Sequence, residues 1–331
     1  MAASSAESQS TRHAAVVYNP VKVDFEALKA SVDEHARAAG WGESRFYETS
    51  VEDPGGGQTK QAIEEGAAVV MAAGGDGTVR AVAEALRGSN VPIGLLPSGT
   101  GNLLARNLKL TLDRLDESVA TAFEGVDRAI DLGVATAERE DGSRSEHAFL
   151  VMAGLGLDAK MLANTNDDLK AKVGWIAYVD AIVKALRDKN RLRMRVKVDN
   201  SAPRVLQAHT ILIGNCGLLP ANVLLLPDAA VDDGIFDVVA LRPEGLMGWL
   251  QIWTKVIWEN GILRRTEVGR KIMGDRKEVR TLRYMKGKSI TLRLERAQEF
   301  ELDGDAFGHV RALRAVVDPG ALKVKVPADS V

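Results

Sequence analysis

The chain has 331 residues, of which 46% are apolar and 27% charged, and it carries a net charge of −2. That length suits two domains or one large one, and the balance is that of a folded globular chain rather than a long disordered one. One cysteine, Cys216, excludes an internal disulfide framework and a cysteine-based zinc cluster. It lies in the apolar run Ile211 to Gly217 and reads as a buried thiol. The sequence shows no secretory signal, and no stretch of 18 or more residues is apolar enough to span a bilayer. A cytoplasmic location is the expectation. Charge is uneven, however. Twelve Lys/Arg and four Asp/Glu fall between Ile262 and Arg296, and seven Lys/Arg and two Asp between Arg187 and Arg204. The basic excess suits either an anionic partner or solvated strand faces.

Residues 1–12 read as a disordered tail. Ala14 to Tyr18 reads as a strand, Asp24 to Ala39 as a helix, Trp41 to Glu48 as a second strand and Gln58 to Glu65 as a short helix. Ala67 to Ala73 is a buried strand, Thr78 to Leu86 a helix, Val91 to Leu96 a strand and Asn102 to Leu108 helical. Strands alternating with helices predict a parallel sheet with flanking helices. Past Gly133 strand-like runs dominate: His147 to Ala153, Arg191 to Val198, Val205 to Ile213, Phe236 to Leu241, Ser289 to Leu294 and Phe300 to Leu302. Helical patterns at Val173 to Leu186 and Leu246 to Trp258 interrupt them. This texture predicts a β-rich, antiparallel sandwich-like second domain. The expected organisation is 13–133 for the α/β domain, 134–313 for the β-rich domain, and 314–331 returning to the first.

Gly74-Gly75-Asp76-Gly77-Thr78 follows a buried strand and opens a helix. Glycines let backbone approach a phosphate closely, and a helix N-terminus offers N–H groups to an anion. Asp76 beside phosphates implies a metal ion or a water network, as Mg²⁺-dependent phosphoryl transfer requires. Taken alone, the segment reads more readily as a tight strand–helix turn with an Asp cap. A second Gly-rich turn, Pro97-Ser98-Gly99-Thr100-Gly101-Asn102, follows the next strand. Neither matches the Walker A or dinucleotide fingerprints. Two acidic turns lie downstream, Asp228 to Gly234 and Glu301 to Asp305, each readable as a surface turn or as a site. The five histidines form no metal-ligand pair, and no Gly-x-Ser-x-Gly elbow is present.

Together with Asn19-Pro20, Ala153 to Asp158, Asp232 to Phe236 and Asp303-Gly304-Asp305, these loops resemble the catalytic region of the diacylglycerol kinase superfamily. The similarity is greatest to its soluble bacterial lipid-kinase branch, with NAD kinases more distant. It runs in order from about residue 14 to residue 326. The resemblance implies an NAD kinase-like α/β domain, a β-rich lipid domain, and an ATP site between them served by Mg²⁺. It implies that Asn19, Thr49, Gly74, Gly75, Asp76, Gly77, Thr78, Ser98, Gly99, Thr100 and Asn102 line the nucleotide site. Asp232 and Asp233 fall where relatives hold a structural metal, and Asp305 where the family has a Glu acting as base on the lipid hydroxyl. Asp is one methylene shorter. Asp303 is the alternative carboxylate.

The implied activity is ATP- and Mg²⁺-dependent phosphorylation of a lipid hydroxyl, with diacylglycerol as first expectation. The alternatives are another acceptor (sphingoid base, ceramide, glycolipid or soluble polyol) or a nucleotide- or lipid-binding regulator without catalysis. Such a kinase meets its substrate at a membrane surface, anionic lipid favoured, through peripheral association with the inner face of the membrane. Trp249, Trp253 and Trp258 and the alternating Arg191, Arg193, Arg195 and Lys197 suit that role, although an apolar helical stripe is more often core. Nucleic-acid binding is not expected, because aromatic residues do not interleave with the basic strands. Homodimerisation is a further implication of the family.

Overall fold

The computed structural model describes residues 12–156, 192–219, 223–224, 226–242 and 282–330. The expected helices 173–186 and 246–258, their tryptophans, Arg191, Asp158 and the 1–11 tail lie outside the described residues. The chain forms two compact units. One comprises 1–100, 111–128 and 322–331, and the other 101–110 and 129–321.

The first unit is built from β1 (Ala14–Tyr18), α1 (Phe25–Ala38), β2 (Arg45–Glu48), α2 (Gly56–Glu64), β3 (Val69–Gly74), α3 (Asp76–Leu86) and β4 (Ile93–Pro97). After an excursion through α4 (Leu103–Asn107), which belongs to the second unit, the chain adds α5 (Leu115–Glu124) to the first. β1 pairs in parallel with β2 on one side and β3 on the other, and β3 with β4. Val324, near the chain's end, pairs in parallel with Ile93 of β4.

Both sheet faces are covered, which is why β1 and β3 are buried throughout. Ala14, Val16 and Tyr18 share a cluster with Leu28 and Val32 of α1 and Val119 and Phe123 of α5. Val17, pointing the other way, packs near Val82 of α3 at the start of α2, where a Cβ on Gly55 would meet both valines at 3.2 Å. α1 has a complete set of end signals. Asp24 caps it by accepting from the Ala27 amide at 3.1 Å, and His35 and Arg37 sit in its last turn. α5 has no capping side chain at Arg114, and it does not stand out in the sequence for that reason. Its apolar positions 115, 119, 122 and 123 nevertheless follow helical spacing.

The second unit is antiparallel. Its strands are β5 (Val126–Glu138, entered from the first unit), β6 (Arg144–Phe149), β7 (Met152–Leu155), β8 (Leu192–Val198), β9 (Arg204–Ala208), β10 (Thr210–Gly214), the short β11 (Leu218–Leu219) and β12 (Val223–Leu224), β13 (Phe236–Leu241), β14 (Leu282–Gly287), β15 (Ser289–Leu302) and β16 (Asp305–Val326). The main order is β14-β13-β10-β7-β15-β16, with β8 and β9 added on β15, and β5 with β6 on β16.

β15 serves two neighbours. Ile290 to Leu294 pair with β8, Phe300 to Leu302 pair with β7, and register shifts against β16 fall between the two stretches. Such bulges let one strand turn from one layer toward another. Phe149, Phe236 and Phe300 are fully buried in the core, with Phe149 stacked on Phe236 at 5.4 Å.

One difference from the sequence reading has a physical cause. The run 205–213 is two strands broken at His209, because β9 pairs with β8 whereas β10 pairs with β7 and β13. By contact, the two units divide at Arg128/Ala129 inside β5 and at Ala321/Leu322 inside β16. Composition changes at Gly133, but the strand continues through it. No helix among the described residues is long and apolar enough to cross a membrane.

Candidate active site

The strand order of the first unit fixes where a ligand can sit. From β1 the chain crosses through α1 to β2 on one side, and from β3 it crosses through α3 to β4 on the other. Between β1 and β3 the connections diverge, leaving a crevice beyond the carboxyl ends of the strands. The residues following those ends are Asn19, Thr49, Gly75-Asp76 and Ser98, all expected from sequence.

Backbone hydrogen bonds hold these loops in lateral register. The Thr49 amide donates to the Tyr18 carbonyl at 2.9 Å, the Asn19 amide to the Ala73 carbonyl at 2.9 Å, and the Ser98 amide to the Gly74 carbonyl at 3.1 Å. Asn19 Oδ1 accepts from the Val21 amide at 3.0 Å, shaping its own turn. Thr49 is buried, and Ser98 Oγ donates to the Leu96 carbonyl at 3.0 Å.

Three helices of the first unit begin beyond these strand ends: α1, capped by Asp24, then α2 and α3, whose N-termini differ. At α2, Asp53 Oδ1 accepts from the amides of Gly55, Gly56 and Gly57 at 3.2, 2.8 and 3.2 Å, and its Oδ2 from Gly57 at 3.0 Å. That helix end carries its own anion. At α3 the capping position is Gly75, which has no side chain to give, and no side-chain cap bond is made. A helix N-terminus led by glycines favours an anion brought close to its first-turn amides. Gly74 is held tightly: a Cβ there would lie 2.7 Å from Thr78 Cβ and Oγ1, and Thr78 is buried. Asp76 is the first helical residue.

The second Gly-rich turn leaves this unit. Thr100 is its last residue there, and Asn102 belongs to the second unit. Asn102 is buried and adopts the left-handed conformation (φ 47°, ψ 47°) immediately before α4. Asn tolerates that region better than most residues. Gly101 accepts from Arg106 Nε at 2.7 Å, and Asn107 exchanges hydrogen bonds with the backbone of Leu218, fastening α4 within the second unit.

In the second unit Asp303 and Gly304 have φ of 51° and 95° and join Leu302 directly to Asp305, the positive-φ pattern of a type I′ hairpin. Asp303 is buried. Its carboxylate accepts from the amides of Leu150, Val151 and Met152 at 2.8, 2.8 and 2.9 Å. These bonds tie the hairpin turn to residues 150–152. Asp305, at the first position of β16, is exposed.

The turn 228–234 is organised by a residue that sequence reasoning missed. Asp131, 2% exposed, accepts from the Gly234 amide at 2.6 Å and the Gly320 amide at 2.9 Å. Its only signal was its place beside Gly133. Asp232 and Asp233 are both exposed. Loss of hydration from its protein-facing side, then the charges of Asp237 and Asp131, raise the Asp233 carboxyl above its ordinary value. Among the described residues no group of three or more His, Cys, Asp or Glu is arranged to hold a metal ion. Cys216 is a buried thiol, pushed well above the usual thiol range by burial.

A parallel α/β unit with a glycine-rich crevice, followed by an antiparallel sandwich, matches known proteins over nearly all of the chain. The diacylglycerol kinase catalytic domain matches residues 13–135, and the YegS C-terminal NAD kinase beta sandwich-like domain matches residues 151–326. The chain belongs to this diacylglycerol kinase-related family of lipid kinases. A probable lipid kinase YegS-like from Pseudomonas aeruginosa is 31% identical over 82% of this chain and 80% of its own. Another from Pseudomonas fluorescens is 30% identical over 97% of both. The diacylglycerol kinase of Bacillus subtilis is 23% identical over 90% of this chain and 91% of its own. Among solved structures, a putative diacylglycerol kinase from Bacillus anthracis shares the fold with a TM-score of 0.72 at 20% identity, covering 100% of both chains. Yeast NADH kinase does so with a TM-score of 0.53 at 8% identity, over 96% of this chain and 83% of its own.

Proposed function

We propose that the chain uses ATP and Mg²⁺ to phosphorylate a lipid hydroxyl, with diacylglycerol the foremost acceptor and phosphatidic acid the product. The observation that carries this reading is the glycine-led N-terminus of α3, Gly74-Gly75-Asp76, beside the β1/β3 divergence. The first-turn amides of α3 follow directly on the glycines that allow close approach.

The residues suit the group. Gly74 and Gly75 let backbone approach phosphate oxygens, the first-turn amides of α3 donate to them, and Asp76 supplies a carboxylate for Mg²⁺. Bound Mg²⁺ neutralises phosphate charge. Thr49, Ser98 and Thr100 offer neutral hydroxyls to phosphate or ribose, and Asn19 an amide. Asp305 is the proposed base. It takes the proton from the acceptor hydroxyl as the hydroxyl oxygen bonds to the γ-phosphorus and the bond to ADP breaks. Positioning and charge neutralisation account for most of the catalysis in such a transfer.

The test is transfer of labelled phosphate from ATP to diacylglycerol in mixed micelles with Mg²⁺, with Asp76→Ala as control. Label entering the organic phase with the wild type and not with the variant supports the reading. ATP binding without transfer directs the search to other lipid and soluble hydroxyls. Loss of ATP binding by the wild-type protein overturns it.

A further inference from the structure

Two strands of the antiparallel unit, β9 and β14, lie at its edges, each bonded to one neighbour, β8 and β13. Residues directly opposite in such ladders share a sheet face. On β9, Arg204 lies opposite Val196 and Leu206 opposite Met194. On β14, Arg283 lies opposite Ala240 and Met285 opposite Val238. Val196, Met194, Ala240 and Val238 all belong to the buried core of this unit. Arg204 and Arg283 therefore stand on the core faces of their strands, and yet both are exposed. Both line one groove of about 320 Å³, whose apolar lining includes Val196, Val198, Leu206 and Met285.

Among the described residues neither arginine pairs with a carboxylate, whereas Lys286, on the opposite face of β14, pairs with buried Asp237 at 3.0 Å. A guanidinium fork matches the oxygens of a carboxylate or a phosphate, and an apolar lining gains from covering by an alkyl chain. Inward-pointing charge also guards edge strands against pairing. That role requires no apolar groove beside it. The lining belongs to the core side of the strands, so a flat bilayer surface does not reach it. The volume is at the lower end of small-molecule sites, about 300–1,000 Å³, and leaves room for one alkyl chain rather than two.

The groove is also remote from the proposed base. Val198 and Val196 lie opposite Ile290 and Leu292, near one end of β15, and Asp305 lies opposite Leu302 at the other. At about 3.3 Å per residue, roughly 33–40 Å of strand separates them. We propose that this groove is a second ligand site, for a single-chain anionic amphiphile. Its carboxylate or phosphate head pairs with Arg204 and Arg283, and its chain lies along Val196, Val198, Leu206 and Met285.

The experiment is calorimetric titration of the full chain, below micelle-forming concentrations, with octanoate, decanoate, laurate and octyl phosphate. Octanol and inorganic phosphate supply the chain alone and the head alone. Affinity rises about fourfold for each methylene from octanoate to laurate. Octyl phosphate binds, and octanol and inorganic phosphate bind about tenfold or more weakly. Arg204→Gln and Arg283→Gln each weaken laurate binding about tenfold, whereas Asp305→Asn binds laurate as the wild type does. Both arginines are exposed, so the variants melt with the wild type. Should either melt early, Arg204→Lys, which keeps the charge and loses the fork, gives a smaller loss in the same direction. Absent laurate binding, equal binding of octanol and octanoate, or inorganic phosphate binding as tightly as octyl phosphate overturns the proposal. So does undiminished laurate binding by the arginine variants. Failure of the kinase reading appears separately, as absent transfer by a protein that still binds laurate.

Discussion

Asp303 and Asp305 stand on either side of Gly304, and the hairpin gives them opposite environments. Asp303 is 6% exposed with three backbone amides on its oxygens, whereas Asp305 is exposed at the head of β16. Asp303→Ala leaves three buried donors without their acceptor, at about 1–3 kcal/mol for each group left unsatisfied. A loss above ~3 kcal/mol is expected in thermal or denaturant unfolding. Asp305→Asn should melt like the wild type and lose phosphoryl transfer. Full activity of Asp305→Asn would remove it as the base.

The two glycines before Asp76 should differ in the same way. A methyl on Gly74 would strike Thr78, whereas one on Gly75, at φ −89°, meets nothing within 4 Å. Gly74→Ala is expected to cost about 1–3 kcal/mol, the usual range for overpacking, and to weaken ATP binding as the loop shifts. Gly75→Ala should fold normally. Unfolding curves beside nucleotide titrations read both.

Asp53 acts as the built-in anion of α2. Its replacement by Ala is expected to cost about 1–2 kcal/mol, the upper range for loss of a cap. Sulfate should restore part of that stability in the variant and less in the wild type. Equal salt responses would show that the α2 terminus has no vacancy when Asp53 is removed.

Glu65 should give the protein an acid-sensitive limb. Hydrogen bonds from Tyr47 at 2.6 Å, then Gln61 at 2.8 Å, then Arg45 pull its carboxyl down to about 2. Burial, followed by the bond to Glu65, raises the Tyr47 hydroxyl to about 12. With the folded value below the unfolded one, this contribution is complete above the ordinary glutamate value. It is lost as pH falls from there through about 2. Tyr47→Phe should move the acid midpoint upward, measured by unfolding at stepped pH.

The alternating strands and helices, the Gly-Gly-Asp-Gly-Thr segment and the alternation of β8 were legible in the sequence because each is a local pattern. The β1/β3 divergence was not, since it depends on which strand β1 chooses on each side. The convergence of Arg204 and Arg283 on one groove likewise depends on register in strands nearly eighty residues apart. α5 lacked a cap to mark it. Asp131 looked like any acidic residue near a glycine, because its partners, Gly234 and Gly320, are 103 and 189 positions away. Distance along the chain, more than weakness of any single signal, separated what could be read from what could not.

Those same separations set an order for biosynthesis. The Asp131 carboxylate meets its second amide only after Gly320 has been made. Ribosomes add roughly 5–20 residues per second, so it waits about 10–40 s. Residues 150–152 wait for Asp303, and the outer edge of β4 waits for Val324. Both units thus close around segments made long after the strands they complete. Until then, apolar strands destined for two cores are held without their final partners, the kind of exposed surface on which chaperones act.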